Sequence, residues 1–286
     1  MFTIPAGGSK RFYRWIVPGD IIGTGDSSTQ FDFKTFMGSR NFTIPISTIK
    51  LVSGKYYRLR MDWSGTNLTH NFPFVTDIDG NRYKTVNIGT QKWMAENLKV
   101  TKYNDGANIP NVTFSIDWQE LTTGALADYG YNPSNSEIYG KLYNGFAVKT
   151  GKLCPTGWHV PSDNEWTTLQ NFLIASGYNY DGTTSGNYIA KALATANGWD
   201  PSTIAGAVGN DDYPEKQNAS GFSALPAGFR HYQGGSYSLG VGTYWWTSTS
   251  VNTNTAKNRY IEQYSSSLRN RDESMNNGYS VRCVRD

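Results

Sequence analysis

Along most of the chain, apolar positions come in short runs broken by Gly, Pro, Asn and Ser, the pattern of many short strands. Arg11 to Val17 is an aromatic, β-branched run stopped by Pro18-Gly19. Phe31, Phe33 and Phe36 partly alternate, and the proline in Phe42 to Ile46 suits a sheet edge. After a turn at Ser53-Gly54, Lys55 to Trp63 alternates well. Tyr57, Leu59, Met61 and Trp63 fall on one face, and Tyr56, Arg58, Arg60 and Asp62 on the other. About four strands are few for an independent sandwich. Residues 1–75 therefore read as a partial β-sandwich, completed by strands from upstream or from another chain.

A second module starts near Thr76. Asp77 to Asn81 is a turn, Arg82 to Ile88 a strand, Gly89-Thr90 a short loop and Gln91 to Met94 the returning strand. Residues 101–145 are polar and turn-rich, with Tyr129, Tyr131, Tyr139 and Tyr143 scattered among them. Only two stretches have helical spacing. Ser162 and Glu165 form a capping box, Trp166, Leu169, Phe172 and Leu173 share a face, and Gly177 ends the helix. A second helix is predicted over Tyr188 to Ala196, with Ile189, Ala192, Leu193 and Ala196 on one face and Gly198 past its end. Later strands are predicted at Phe222 to Leu225, Tyr244 to Ser248, Lys257 to Gln263 and Tyr279 to Val284. Tyr244 and Trp246 face away from Trp245, and Trp158 and Trp166 are placed in the core. Early helices, late strands and long loops between them give an α+β class.

Composition narrows the function classes. Charged residues make up 17% of the 286, and the net charge of +3 is spread thinly, which argues against the dense basic stripe of a nucleic-acid binder. Aromatic residues reach 14%, which argues against disorder. No apolar run is long enough to cross a membrane. The first residues show no basic start with an apolar stretch after it, while the aromatic, Gly-rich composition favours an exported surface module continued upstream. The two cysteines, Cys154 and Cys283, have no CxxC or Cys/His metal spacing. They are either two buried thiols or, in an oxidising compartment, a disulfide. His70, His159 and His231 have no nucleophile at motif spacing, and no Gly-x-Ser-x-Gly, P-loop or His-Glu-x-x-His is present. No catalysis is expected. Asp77-x-Asp79-Gly80-Asn81 has Ile88 where a calcium loop has its last glutamate, so it reads as a turn, and no cofactor is expected. Phe229-Arg230-His231-Tyr232 leaves a strand for the Gly-rich loop Gln233 to Gly242. Exposed Arg230, His231 and Tyr232 there would suit recognition, the alternative being an Arg230 paired with a carboxylate.

Asp79 to Leu98 (DGNRYKTVNIGTQKWMAENL) resembles the opening of the Fibrobacter succinogenes major paralogous domain, a family found on bacterial surface proteins. Gly140 to Asn144, Cys154 to Trp166, Gly221 to Arg230 and Ser280 to Arg285 are similar to later blocks of that family, in order, so the resemblance covers about residues 77–286. It implies a C-type lectin-like fold over residues 76–286, with the terminal strands together and a disulfide from the first helix region to the last strand, which Cys154 and Cys283 would supply. In that fold Asn210 to Glu215 would lie in the long ligand-binding loop. Calcium-dependent lectins carry Glu-Pro-Asn or Gln-Pro-Asp there, where this chain has Tyr213-Pro214-Glu215. Asp211, Asp212, Tyr213 and Glu215 could still contact a sugar directly in place of metal coordination, the alternative being a solvated loop. Val160 to Trp166 is also similar to formylglycine-generating enzymes, but those need an active-site cysteine pair, and both cysteines here are assigned a structural role. Residues 1–75 resemble the closing strands of fimbrillin-type pilus subunits, through Ile44 to Ser47 and Leu51 to Trp63. Together these resemblances imply a cell-surface or pilus-associated adhesin that binds a glycan or a protein. Its other partners would be pilus subunits reached through the N-terminal strands. The alternative is an assembly subunit without a sugar site.

Overall fold

The computed structural model describes residues 74–286 throughout and, upstream of them, the backbone of five strands. The chain divides into two compact units, Met1–Val75 and Thr76–Asp286. In the first, β1 (Arg11–Ile16), β4 (Tyr57–Trp63) and β5 (Leu68–His70) form an antiparallel sheet with β4 in the middle. Two more strands, β2 (Ser28–Thr35) and β3 (Gly38–Pro45), pair as an antiparallel hairpin with Pro45 opposite Ser28 at its open end, where a missing amide costs little. The turns predicted at Pro18-Gly19 and Ser53-Gly54, and the two faces predicted for Lys55 to Trp63, lie outside the described residues. The short strand β6 (Phe74–Thr76) spans the boundary.

The second unit is rich in sheet and poor in helix. Its chain enters through β7 (Arg82–Ile88) and β8 (Gln91–Met94), joined by Gly89-Thr90. Gly89 has φ +61, which a residue without Cβ takes at no steric cost. The last strand, β18 (Val284–Arg285), lies between β8 and β11 (Trp158–His159), with Val284 opposite Trp93 and His159. A larger, eight-stranded sheet holds β9 (Leu126–Ala127), β10 (Leu142–Asn144), β12 (Ala227–Arg230), β13 (Ser236–Leu239), β14 (Gly242–Ser250), β15 (Thr255–Glu262), β16 (Arg269–Ser274) and β17 (Gly278–Tyr279). Its order is β16–β15–β14–β12–β17–β10–β9, with β13 beside β12. The helices are α1 (Ser115–Gln119), α2 (Pro133–Tyr139), α3 (Gly145–Lys149), α4 (Asp163–Ala175) and α5 (Ala190–Leu193).

Segment 280–284 sutures the two sheets. Its Ser280 amide donates to Tyr244 O (3.0 Å), and the Trp246 amide donates to Ser280 O (3.1 Å). On the other side the Leu98 amide donates to Val281 O (2.8 Å) and the Met94 amide to Cys283 O (3.0 Å). Between the sheets lie Trp93, Trp166, Phe222 and Trp245, all fully buried, with ring centroids 4.8–5.9 Å apart. Arg282 enters this aromatic cluster. Its guanidinium sits 4.1 Å from the Phe222 ring centre and 5.6 Å from Trp245, and donates to Phe222 O and to Asn97 Oδ1. Burial pushes Arg282 down to about 9, with Glu96 acting the other way, so it stays charged at neutral pH. Cys154 and Cys283 form a disulfide closing 129 residues of chain. A loop of that length restricts the unfolded state by roughly 4–5 kcal/mol.

Helix α4 is built as its sequence predicts at both ends. Ser162 Oγ accepts from the Glu165 amide (3.3 Å), Glu165 Oε2 accepts from the Ser162 amide (2.8 Å), and Gly177 follows the helix at φ +75. Its buried face holds Trp166, Leu169 and Leu173, but Phe172 is 40% exposed and rests against Gly89. The second helix is much shorter than predicted. Backbone amides of Asn218, Ser220 and Ala224 take the carbonyls of Lys191, Ala192 and Leu193, so the next turn of helix cannot form. Phe222 to Leu225 is not a strand, because Ser223 turns at φ +60; the strand there starts at Ala227. Tyr279 to Val284 contributes only the ends of its predicted strand, in β17 and β18. Within the predicted Gly-rich loop lies β13, and β16 was not predicted at all. Trp158 is half-buried, because β11 is the edge of its sheet. On β14, Trp245 faces Trp166 while Tyr244 stacks on Tyr279 and Trp246 packs against it at a tilt, so both faces are core.

His159 clamps the chain end to α4. Its Nδ1 meets Asp286 Oδ1 at 2.5 Å and its Nε2 meets Glu165 Oε1 at 2.7 Å. Burial alone would lower the imidazole, but the two carboxylates outweigh it and raise His159 above its ordinary 6.5. For Glu165 burial acts upward, and the Ser162 bonds and His159 outweigh it, holding the carboxyl below its ordinary 4.5. The raised imidazole adds stability that is complete below 6.5 and lost as pH rises through its folded value. The lowered carboxyl adds stability that is present above 4.5 and lost as pH falls through its folded value. The clamp is therefore strongest between 4.5 and 6.5. Thermal melting followed across pH 4–9 is expected to place the wild-type advantage over His159→Gln in that window and to shrink it on both sides. An advantage independent of pH would contradict the clamp.

Candidate functional site

Asn179 organises the loop after α4. It is fully buried; its Nδ2 donates to Thr183 O (3.0 Å) and Ser185 O (3.0 Å), and its Oδ1 accepts from the Tyr188 amide (2.9 Å). One side-chain amide thus serves both sides of the loop. Asp181 Oδ1 accepts from the Thr183 hydroxyl (2.6 Å) and amide (3.0 Å), an Asx turn that holds the carboxyl below its ordinary range. The Tyr180 amide donates to Tyr188 O (3.1 Å), and the two rings lie edge to face at 5.8 Å.

A third ring arrives from the opposite loop. Lys191 on α5 is fully buried, and its Nζ donates to Asn210 O (2.5 Å), Asp212 O (2.5 Å) and Asp212 Oδ1 (2.8 Å). Asp212 Oδ2 accepts from the Gly206 amide (2.7 Å). Burial would raise the Asp212 carboxyl, but Lys191 and the Gly206 amide outweigh it and hold it low. The anchored chain then turns at Tyr213 with φ 48 and ψ 54, a left-handed conformation that costs a non-glycine residue about 1–2 kcal/mol. The turn sets the Tyr213 ring 5.1 Å from Tyr180. Gly206 backs Tyr180 so closely that a Cβ there would come within 2.1 Å of the ring; a Cβ on Gly186 would come within 2.6 Å of Tyr188.

The result is a platform of three tyrosines, with Tyr180 inclined 62° to Tyr188 and 55° to Tyr213, and with Gly206 and Gly186 packed against Tyr180 and Tyr188. Tyr188 is 39% and Tyr213 40% exposed, and Tyr180 is half-buried between them. Asp211 and Glu215 flank Tyr213 along the chain, exposed and without an ion pair or hydrogen bond among the described residues. Flat aromatic faces bordered by a few polar groups suit a ring with one apolar face and hydroxyls at its edge.

The predicted site residues divide. Tyr213 stands in the platform, and Asp211 and Glu215 are exposed two residues to either side of it in the chain. Asp212 stands beneath it, and its carboxylate is committed to Lys191 and Gly206. Arg230 is a correction: it is neither exposed nor paired with a carboxylate. It is fully buried, 4.2 Å over the Trp118 ring, and donates to the carbonyls of Val112, Thr113, Phe114 and Gly234. Segment 111–114 and α1 fold across the end of β12, and the guanidinium satisfies carbonyls they would otherwise bury. His231 is half-buried, with its ring centre 4.1 Å from that of exposed Tyr232 and tilted to it. Among the described residues, no hydrogen bond, ion pair or ring contact joins His231 or Tyr232 to the platform. Cys154 and Cys283 pair with each other. Asp77 spends both oxygens on a turn, accepting from the amides of Asp79 (3.0 Å) and Asn81 (2.9 Å) and from the Tyr83 hydroxyl (2.6 Å).

Asn179, Tyr180, Asp181, Tyr188 and Lys191 were missed from sequence. The run Tyr178-Asn179-Tyr180-Asp181-Gly182, rings alternating with turn formers between two elements, was the available signal. Removing the Lys191 ammonium strands Asp212 and frees the backbone that aims Tyr213. Lys191→Met is expected to lower unfolding stability in urea by about 3 kcal/mol, with Asp212→Asn restoring part of the loss. A loss under about 0.5 kcal/mol would show that the staple does not hold the loop.

Residues 86–285 match the family model described as Fibrobacter succinogenes major domain (Fib_succ_major). The chain matches no curated protein and no solved structure.

Proposed function

Given that the chain belongs to the Fibrobacter succinogenes major domain family, we propose that it is an exported bacterial surface protein that binds a glycan without catalysing a reaction. The observation that carries this reading is the platform of Tyr180, Tyr188 and Tyr213, in which Tyr188 and Tyr213 are exposed. Its rings are held in place before any ligand arrives, which reduces the ordering cost of binding. The disulfide supports an oxidising, exported setting. We assign residues 76–286 to the C-type lectin-like class. In support, the hairpin β7–β8 lies beside the last strand β18, a disulfide joins the segment before α4 to the segment before β18, and the tyrosines stand on long loops. Residues 1–75 are assigned a fimbrillin-like, pilus-linked role, supported by their antiparallel pairing alone.

A broad glycan array probed with the protein, once with calcium and once with chelator, tests the reading. Binding that survives chelator is expected. Tyr188→Ala and Tyr213→Ala are each expected to weaken it about tenfold, the effect of one stacked ring. No binding in either condition would overturn the reading and leave the assembly role. Binding lost in chelator would overturn its metal-free form.

A further inference from the structure

The charges around the tyrosine platform are uneven. Asp181, Asp211, Asp212 and Glu215 bring carboxylates, while Lys191 and Lys216 bring ammoniums. Both ammoniums are committed within the loops. Lys191 is buried against Asp212, and Lys216 Nζ donates to Gly177 O at 2.9 Å. Asp181 spends Oδ1 on Thr183, and Lys216 adds only a minor part to the lowering of its carboxyl. Asp211 and Glu215, two residues to either side of Tyr213, are exposed and make no hydrogen bond or ion pair among the described residues. Tyrosine faces carry the negative side of the ring quadrupole. Burial, then Asp181 and the neighbouring rings, push the Tyr180 hydroxyl above its ordinary value, so it remains a neutral donor.

A carboxylate or sulfate on a sugar resting on an exposed ring would meet a face of its own sign, on a loop that also carries the exposed Asp211 and Glu215. A protonated amine would find both attractions at once. Resting on the reading of the platform as a ring-binding site, we infer that it prefers a sugar unit with a free, protonated amino group, a 2-amino-2-deoxyhexose, over its N-acetylated or acidic counterparts. The rings supply stacking and cation–π attraction, and Asp211 and Glu215 supply the counter-charge.

Calorimetric titration of the full chain with three probes tests this: a β-1,4-linked glucosamine tetramer, the N-acetylated tetramer and a tetragalacturonate. The glucosamine tetramer is expected to bind about tenfold more tightly than the acetylated one at low salt. That ratio is expected to shrink as salt is raised, because both carboxylates are exposed. Combined Asp211→Asn and Glu215→Gln is expected to bring the two affinities together, with melting temperature checked to show the variant folded. Equal affinities in the wild type, or tighter binding of tetragalacturonate, would overturn the inference and leave the glycan-binding reading standing. If none of the three binds while an array ligand binds in a Tyr213-dependent way, the inference alone falls. If nothing binds anywhere, both fall.

Discussion

One buried cation sets the architecture of the second unit. The Arg282 guanidinium is taken wholly out of water, a cost of several kcal/mol unless its surroundings replace hydration. They do so from three parts of the chain. Phe222 gives a ring face and a carbonyl, Trp245 on β14 a second ring, and Asn97 after β8 an amide oxygen. Asn97 is fully used in turn, since its Oδ1 also accepts from Trp245 Nε1 (3.0 Å) and its Nδ2 donates to Tyr139 O (2.9 Å) and Ser280 Oγ (3.2 Å). Node and aromatic cluster share Phe222 and Trp245, so the two are built on common residues. The disulfide lies next to it at Cys283, so covalent and electrostatic ties hold the same suture.

The same device recurs at smaller scale. Arg259 on β15 is buried and reaches Asp163 Oδ1 at 2.6 Å and Thr167 Oγ1 at 2.8 Å, fixing α4 to the large sheet. Arg230 gathers the carbonyls of segment 112–114, and Lys191 gathers those of Asn210 and Asp212. Long side chains with several donors can collect carbonyls that irregular loops leave without partners. That explains how a unit with so little helix holds long loops in fixed conformations. The tyrosine platform depends on this arrangement: Lys191 and Asn179 set the backbone, and the rings need only lean on Gly206 and Gly186.

Much of this was legible in the sequence where local rules decide. The hairpin around Gly89-Thr90, the α4 capping box and the alternation in Tyr244 to Ser248 are written in adjacent residues, and each formed as predicted. The failures have a common cause. The second helix stopped at Leu193 because its carbonyls are claimed by residues 218–224, a contact across about thirty positions that no local period reveals. Arg230 was misread for the same reason: three of its four carbonyl partners lie over a hundred residues upstream. Family resemblance found the module and its disulfide, and it pointed to the loop containing Tyr213. It could not supply Tyr180 and Tyr188, whose alignment with Tyr213 depends on two loops meeting.

The claim that Asn97 and Arg282 together hold the second unit is tested most directly by a double-mutant cycle. Asn97→Ala, Arg282→Met and their combination would be compared with wild type by urea unfolding. The account predicts large single losses, about 3 kcal/mol or more for Arg282→Met, and a coupling of about 2 kcal/mol between the two changes. Additive losses, each under about 1 kcal/mol, would contradict it and leave the aromatic cluster and the disulfide as the true hold on the fold.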